Sequence, residues 1–180
     1  MCDDDLLFNK YYIKTLKVLF EEFKEDPMAG MIQTSFKRET HNFQSLEEAK
    51  KLEDKVIYGF SHRWEQGFWR KSAEKIKPLI NPYFDLIRKI DFNKFYRESG
   101  SYPKVRKKIA ELYGNAFAGD HVLELCTERA GYLGLHTMTL RHKTLGKRGG
   151  YSFRTTRFDD YNYGKIQLHN IGNVEIYKIV

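Results

Sequence analysis

Cysteine is scarce in this chain, with Cys2 and Cys126 the only two among 180 residues. Two thiols, one near a terminus and one in a helical pattern, cannot build a disulfide framework, and a reducing, cytoplasmic compartment is the expectation. No His and Cys residues cluster at metal-ligand spacing, so neither a structural zinc site nor any other metal or cofactor is expected. Also missing are a phosphate-binding P-loop, a dinucleotide-type glycine fingerprint followed by an acid, a nucleophile elbow and an HExxH pair, which leaves nucleotide hydrolysis and nicotinamide chemistry without support. No run approaches the roughly 18 apolar residues of a membrane span. The start, MCDDDLLF, is acidic and lacks the basic opening and apolar centre of a secretory signal.

What the chain does contain is a core's worth of apolar residues and an excess of positive charge. A hydrophobic content of 41% with 15% aromatics argues against disorder. At 180 residues a single domain over 1–180 is expected, mainly helical over 1–132 and sheet-forming over 133–180. The net charge of +7 and a pI near 9.2 point to a polyanionic partner, DNA or RNA first, with an acidic protein surface as the other candidate.

One stretch lacks acids altogether. Leu135 to Phe158 holds Arg141, Lys143, Lys147, Arg148, Arg154 and Arg157, together with His136 and His142. Alternation at Thr137, Thr139 and Arg141 and the aromatic and β-branched residues after Gly150 read as two strands around a Gly146–Gly150 turn. Glycines there let backbone N–H groups approach an anion, with Lys147 and Arg148 at the tip. A basic β-hairpin contacting phosphate is the functional expectation, against the competing reading of a merely solvated loop.

Upstream, the pattern is helical. Phe8, Tyr12, Leu16, Leu19, Phe20 and Phe23 form a stripe that predicts a helix over Asp5 to Lys24, capped by Asp3, Asp4 and Asp5. Gly30 to Phe43 alternates loosely, as a strand would. Ser45-Leu-Glu-Glu48 fits a capping box, and the stripe Leu46, Ala49, Leu52, Val56 predicts a helix that continues, broken at Gly59 or Gly67, to Lys77. His62 to Arg70 interleaves Trp64, Phe68 and Trp69 with Arg63 and Arg70, a pattern that fits either base stacking or a core. Asn81-Pro82 reads as the start of a further helix ending near Ile90.

Ser101-Tyr102-Pro103 opens the next helix, which Gly114 stops. Its first turns carry Lys104, Arg106, Lys107 and Lys108, where the helix dipole favours acids, so an external anion is the expected reason for them. A last helix is expected from Asp120 to Gly131; its carboxylates Glu124 and Glu128, four apart, lack a third metal ligand nearby in sequence.

Beyond Leu133, strand character over Leu133 to Thr144, Tyr151 to Phe158, Lys165 to Asn170 and Val174 to Val180 predicts a four-stranded antiparallel meander. The resulting class is α+β, with N-terminal helices packed on that C-terminal sheet. The alternative over 101–158 is a winged-helix-like arrangement with Gly146–Gly150 as the wing. The function expected is nucleic-acid binding through Arg141, Lys143, Lys147, Arg148, Arg154 and Arg157, helped by Lys104, Arg106, Lys107 and Lys108. A small metal-independent nuclease using His136, His142 and Tyr151 is one alternative. A protein-binding inhibitor or accessory factor is the other.

Overall fold

The computed structural model describes residues 6–34, 44–59, 66–144 and 168–180. Within them the chain is α+β, with a five-stranded mixed sheet and six helices. The strands of the sheet lie in the order β4 (Gly67–Phe68), β2 (Ala29–Gln33), β5 (Leu133–Thr137), β3 (Lys55–Gly59) and β7 (Lys178–Ile179). β2 and β5 run parallel at its centre, β3 is antiparallel to β5, and β7 is parallel to β3. A separate two-stranded ladder pairs β1 (Leu6–Phe8) with β6 (His142–Thr144).

This overturns the expected meander. Of the strands assigned to it, β5 pairs with β2 and β3 and β6 pairs with β1, while Tyr151 to Phe158 lies outside the described residues. The winged-helix alternative falls for the same reason, since β5 is a central strand of the sheet. The physical cause is burial. β2 is enclosed along its whole length and β5 along all but its first residue, so neither shows the polar alternation of a one-sided strand. β3 (KVIYG) continues a helical stripe in the half that reads as helical, whereas β2 overlaps the loosely alternating stretch that starts at Gly30.

Register explains the two faces. Ile32, Leu135 and Tyr58 are aligned across the sheet, and with Val56 they share a core with Leu19 of α1 (Tyr12–Glu22) and Phe23 at its C-cap. Gln33, His136 and Ile57 occupy the next row, on the opposite face. The stripe that predicts α1 is real, but the helix begins at Tyr12 and not Asp5. Asn9 intervenes: its carbonyl accepts from the Tyr12 N–H and its side-chain oxygen from the Tyr11 N–H, while Leu6 to Phe8 pair in β1.

The capping box at Ser45 forms as expected. Its hydroxyl accepts from the Glu48 N–H at 3.2 Å, and the Glu48 carboxylate accepts from the Ser45 N–H at 3.0 Å. The helix it opens, α2 (Leu46–Lys51), is short, because the chain turns at Leu52 and enters β3.

The remaining helices form a second core. α3 (Arg70–Ile87), α4 (Phe92–Arg97), α5 (Pro103–Tyr113) and α6 (Gly119–Arg129) enclose Ile76, Ile80, Tyr83, Phe95, Ile109, Val122 and Cys126. α3 runs through Pro78 and Pro82, where a helix start was expected. Both prolines are exposed and lie four apart, so the carbonyls they orphan face water while the buried stripe holds the helix together. α5 begins at Pro103 and stops at Gly114, as the sequence indicates. Among the described residues no helix is long and apolar enough to cross a membrane.

Residues 168–180 cross back over the first half of the chain. Asn9 donates from Nδ2 to the carbonyls of His169 and Ile171, both at 3.1 Å. Arg141 donates to Ile171 O at 2.7 Å and Glu53 O at 2.9 Å, and the Glu53 carboxylate accepts from the Gly172 N–H at 3.1 Å. Further on, the Glu22 carboxylate accepts from the Tyr177 N–H at 2.8 Å, and Lys178 meets Asp54 at 3.2 Å.

Two outcomes follow for stability. Gly172 has φ +106 and lies against the Arg141 guanidinium, so Gly172→Ala adds a clash to backbone strain; Gly131, at φ +83 with open space beside it, carries the strain alone. Urea denaturation should show Gly131→Ala costing about 1–2 kcal/mol and Gly172→Ala clearly more. For Asp54, burial pushes the carboxyl up, but Lys178 and Lys55 outweigh it and hold the pKa below the ordinary value. The stabilisation is therefore present above the unfolded-state pKa and is lost as pH falls through the folded one. Asp54→Asn should be less stable than wild type at neutral pH, and the gap should close below about pH 4.

Candidate nucleic-acid interface

A second large positive excess lies where the sequence reading placed its secondary cluster. Residues 70–114, which make α3, α4 and α5, carry twelve Lys and Arg against five Asp and Glu, an excess equal to the whole chain's +7. Part of it is neutralised locally: Arg70 meets Glu74 at 3.5 Å, Arg88 meets Asp85 at 2.9 Å, and Lys108 meets Glu111 at 3.2 Å. All three pairs are solvated and worth little. Lys94, Arg97, Lys104 and Lys107 are exposed and have no carboxylate within 4.0 Å among the described residues.

Lys94 and Arg97 line an open cleft of about 610 Å³ whose floor is the turn from Glu98 to Tyr102, between α4 and α5. The turn is tightly specified. Asp91 caps α4, its carboxylate accepting from the Lys94 N–H at 3.0 Å, and the Asp91 N–H donates to the Tyr102 hydroxyl at 3.3 Å. Ser101 donates from its hydroxyl to Lys94 O at 3.1 Å. Tyr102 is held at φ +48, a conformation that needs such support in a residue with a Cβ.

Arg106 ties these pieces together. Its guanidinium lies 4.3 Å from the centroid of the buried Phe95 ring, and it donates to Phe95 O, to Glu98 O at 2.8 Å and to Ser101 O at 2.8 Å. The planar guanidinium presents its donors in a rigid fork and stacks on the Phe95 ring at the same time, a combination that a lysine ammonium does not offer. The residue chosen from the sequence as a phosphate contact is instead the clamp that fixes α4 against α5.

On the outer side of α4, Phe92 and Tyr96 leave 40% and 36% of their surface exposed. Their ring centroids lie 5.9 Å apart at 39°, and Phe92 also stacks against Phe95 at 6.1 Å and 27°. Two solvent-facing rings on a six-residue helix that also presents Lys94 and Arg97 make a mixed aromatic and cationic surface.

The other expected site residues fall in different places. Lys104 and Lys107 are exposed on α5 and do not line the cleft, and Lys108 is paired with Glu111. Arg141 is fully buried, its guanidinium bonded to Ile171 O and Glu53 O, with no surface to offer a phosphate. His136 is fully buried as well and donates from Nε2 to Gly59 O at 2.8 Å. Lys143 and His142 belong to β6, whereas Lys147, Arg148, Tyr151, Arg154 and Arg157 lie outside the described residues. The expected hairpin partner of β6 is among them; its described neighbour is β1.

Trp69 is core, donating from its indole N–H to Phe20 O at 3.0 Å, and Trp64 lies outside the described residues. Glu124 is buried and Glu128 exposed, so the two carboxylates four apart do not converge. Sequence reasoning missed Phe92, Lys94, Tyr96 and Arg97 altogether. The signal was present: Asp91 before FNKFYR is an N-cap followed by alternating rings and cations. Comparison with known protein families, curated proteins and solved structures finds no match.

If Arg106 is the clamp, Arg106→Gln should lower stability by about 2 kcal/mol in urea denaturation and speed amide exchange in α4 selectively. Lys104→Gln should change stability by no more than about 0.5 kcal/mol.

Proposed function

We propose that this protein binds nucleic acid, contacting phosphates through the exposed cations of α4 and α5. The observation that carries this reading is that Lys94 and Arg97, which line an open cleft, and Lys104 and Lys107 on α5 are exposed with no carboxylate within 4.0 Å among the described residues, in a stretch, residues 70–114, of net charge +7. Cations that no carboxylate neutralises raise the local potential, draw in a polyanion and release its counterions when it binds. Lys143 of β6, and Lys147, Arg148, Arg154 and Arg157 outside the described residues, extend the same expectation. An acidic protein surface would satisfy the lysines equally, but it would make less use of the rings exposed beside them.

Of the residues expected to act in a nuclease, His136 is enclosed and bonded to a backbone carbonyl, out of reach of a scissile phosphate, and Tyr151 lies outside the described residues.

Fluorescence anisotropy with a labelled oligonucleotide across a salt series tests the proposal. Affinity should fall steeply with salt, and Lys94→Ala with Arg97→Ala should reduce the slope of log affinity against log salt by about two. Lys147→Ala with Arg148→Ala should reduce it by a similar amount. A slope unchanged by the first pair removes the cleft from the interface, and one unchanged by the second removes Lys147 and Arg148.

A further inference from the structure

We infer that two copies of this protein pair through the free edge of the sheet, β7 of one against β7 of the other, antiparallel about a two-fold axis. The inference is independent of the phosphate-binding reading above.

The edge is open. β7 is the last strand of the sheet, and among the described residues no strand lies beyond it. Its bonds to the interior alternate: the Lys178 N–H donates to Asp54 O at 2.8 Å and the Val180 N–H to Val56 O at 3.0 Å. The N–H and carbonyl of Ile179, the residue between, are thereby turned outward. Unpaired backbone groups along an edge are a template for another strand.

The edge is also apolar. Ile176, Ile179 and Val180 are 68%, 51% and 61% exposed, three of the four most exposed large apolar side chains among the described residues. They are displayed on an anchored segment and not on a frayed one. Tyr177 between them is buried, with its N–H on the Glu22 carboxylate at 2.8 Å and its hydroxyl on the Thr15 hydroxyl at 3.3 Å.

The charges beside the edge are already matched. Edge strands are commonly protected by lysines, which keep a neighbouring strand away. Lys178 holds that place, but its ammonium lies 3.2 Å from the Asp54 carboxylate, and Glu175 lies 3.9 Å from Lys14. With no charge to recruit an oppositely charged partner, the complement that fits is the edge itself. In a two-fold antiparallel pair centred on Ile179, each Ile179 N–H meets the other's carbonyl, and Lys178 lies opposite Val180, so no like charges are directly opposed.

The contact is small. It falls short of the roughly 1,200 Å² of a stable interface, so the pair forms reversibly, in the micromolar range. The net charge of +7 on each copy opposes it, and salt screens that repulsion. Self-association therefore strengthens with salt, the reverse of phosphate binding.

Sedimentation velocity on the nuclease-treated full chain, from about 1 to about 200 μM, tests the pairing. The weight-average mass should rise from monomer toward dimer, and at lower concentration in about 300 mM salt than in about 50 mM. Ile179→Pro removes the outward N–H and no bond to β3, and should weaken the dimer by about tenfold or more. Leu46→Ser, which removes a similarly exposed apolar side chain on α2, should leave it unchanged. In the wild type the Ile179 amide should exchange fast when dilute and more slowly as concentration rises, while the Lys178 and Val180 amides stay protected throughout.

A monomer at every concentration, with Ile179 exchanging fast, overturns the pairing and leaves the phosphate reading standing. Association that is indifferent to Ile179→Pro, weakened equally by Leu46→Ser, or weakened by salt also overturns it, since each places the contact elsewhere on the surface.

Discussion

The fold turns on a guanidinium placed where water cannot reach it. Arg141 touches four distant parts of the chain: its N–H donates to Thr34 O, its carbonyl accepts from the Asn9 N–H, and its side chain donates to Glu53 O and Ile171 O. Moving a charged group of that size out of water costs several kcal/mol unless hydrogen bonds replace those of the solvent. The replacement bonds come from segments that must all be in place together. One residue thereby makes the end of β2, the turn before β3, the start of α1 and the C-terminal segment a single cooperative unit.

From that junction the molecule divides its labour. The sheet layer, built from β2, β5 and β3 with α1 across one face, contains most of the buried polar groups, including His136, Gln33 and Thr137. The helical layer has an apolar core, encloses Ser72, Glu124 and Thr127, and carries much of the surface charge. A binding surface sits on the second layer at little cost to the first. The clamp at Arg106 is a small counterpart of the one at Arg141: in each, an arginine gathers carbonyls that a helix or turn would otherwise leave without donors.

The sequence was informative where local chemistry decides structure. The Ser45 capping box and the Pro103 start and Gly114 stop of α5 are local signals and appear as read, and the apolar stripe of α1 holds from Tyr12 onward although its first member, Phe8, lies in β1. It misled where a long-range partner decides. Lys55 to Gly59 continues a helical stripe and becomes a strand because β5, almost eighty residues on, supplies its ladder. Pro82 looks like a helix start, yet packing behind it carries α3 through. Arg141 and Arg106 show the same limit for function, since nothing in one dimension separates a cation that meets solvent from one that holds carbonyls together. The cations that do face water at Lys104 and Lys107 were legible, whereas the rings beside Lys94 and Arg97 become a surface only once Phe95 is seen to be buried.

The parallel pairing of β2 with β5 joins residues about a hundred positions apart, and the entire helical layer lies between them in the chain. Closing so large a loop is entropically expensive before any sheet contact rewards it. The intervening helices make their own contacts at short range and can condense first, shortening the distance the two strands must bridge. A nascent chain is thus expected to hold a formed helical unit while its sheet is still open, with β7, the last strand to be made, closing the edge beside β3.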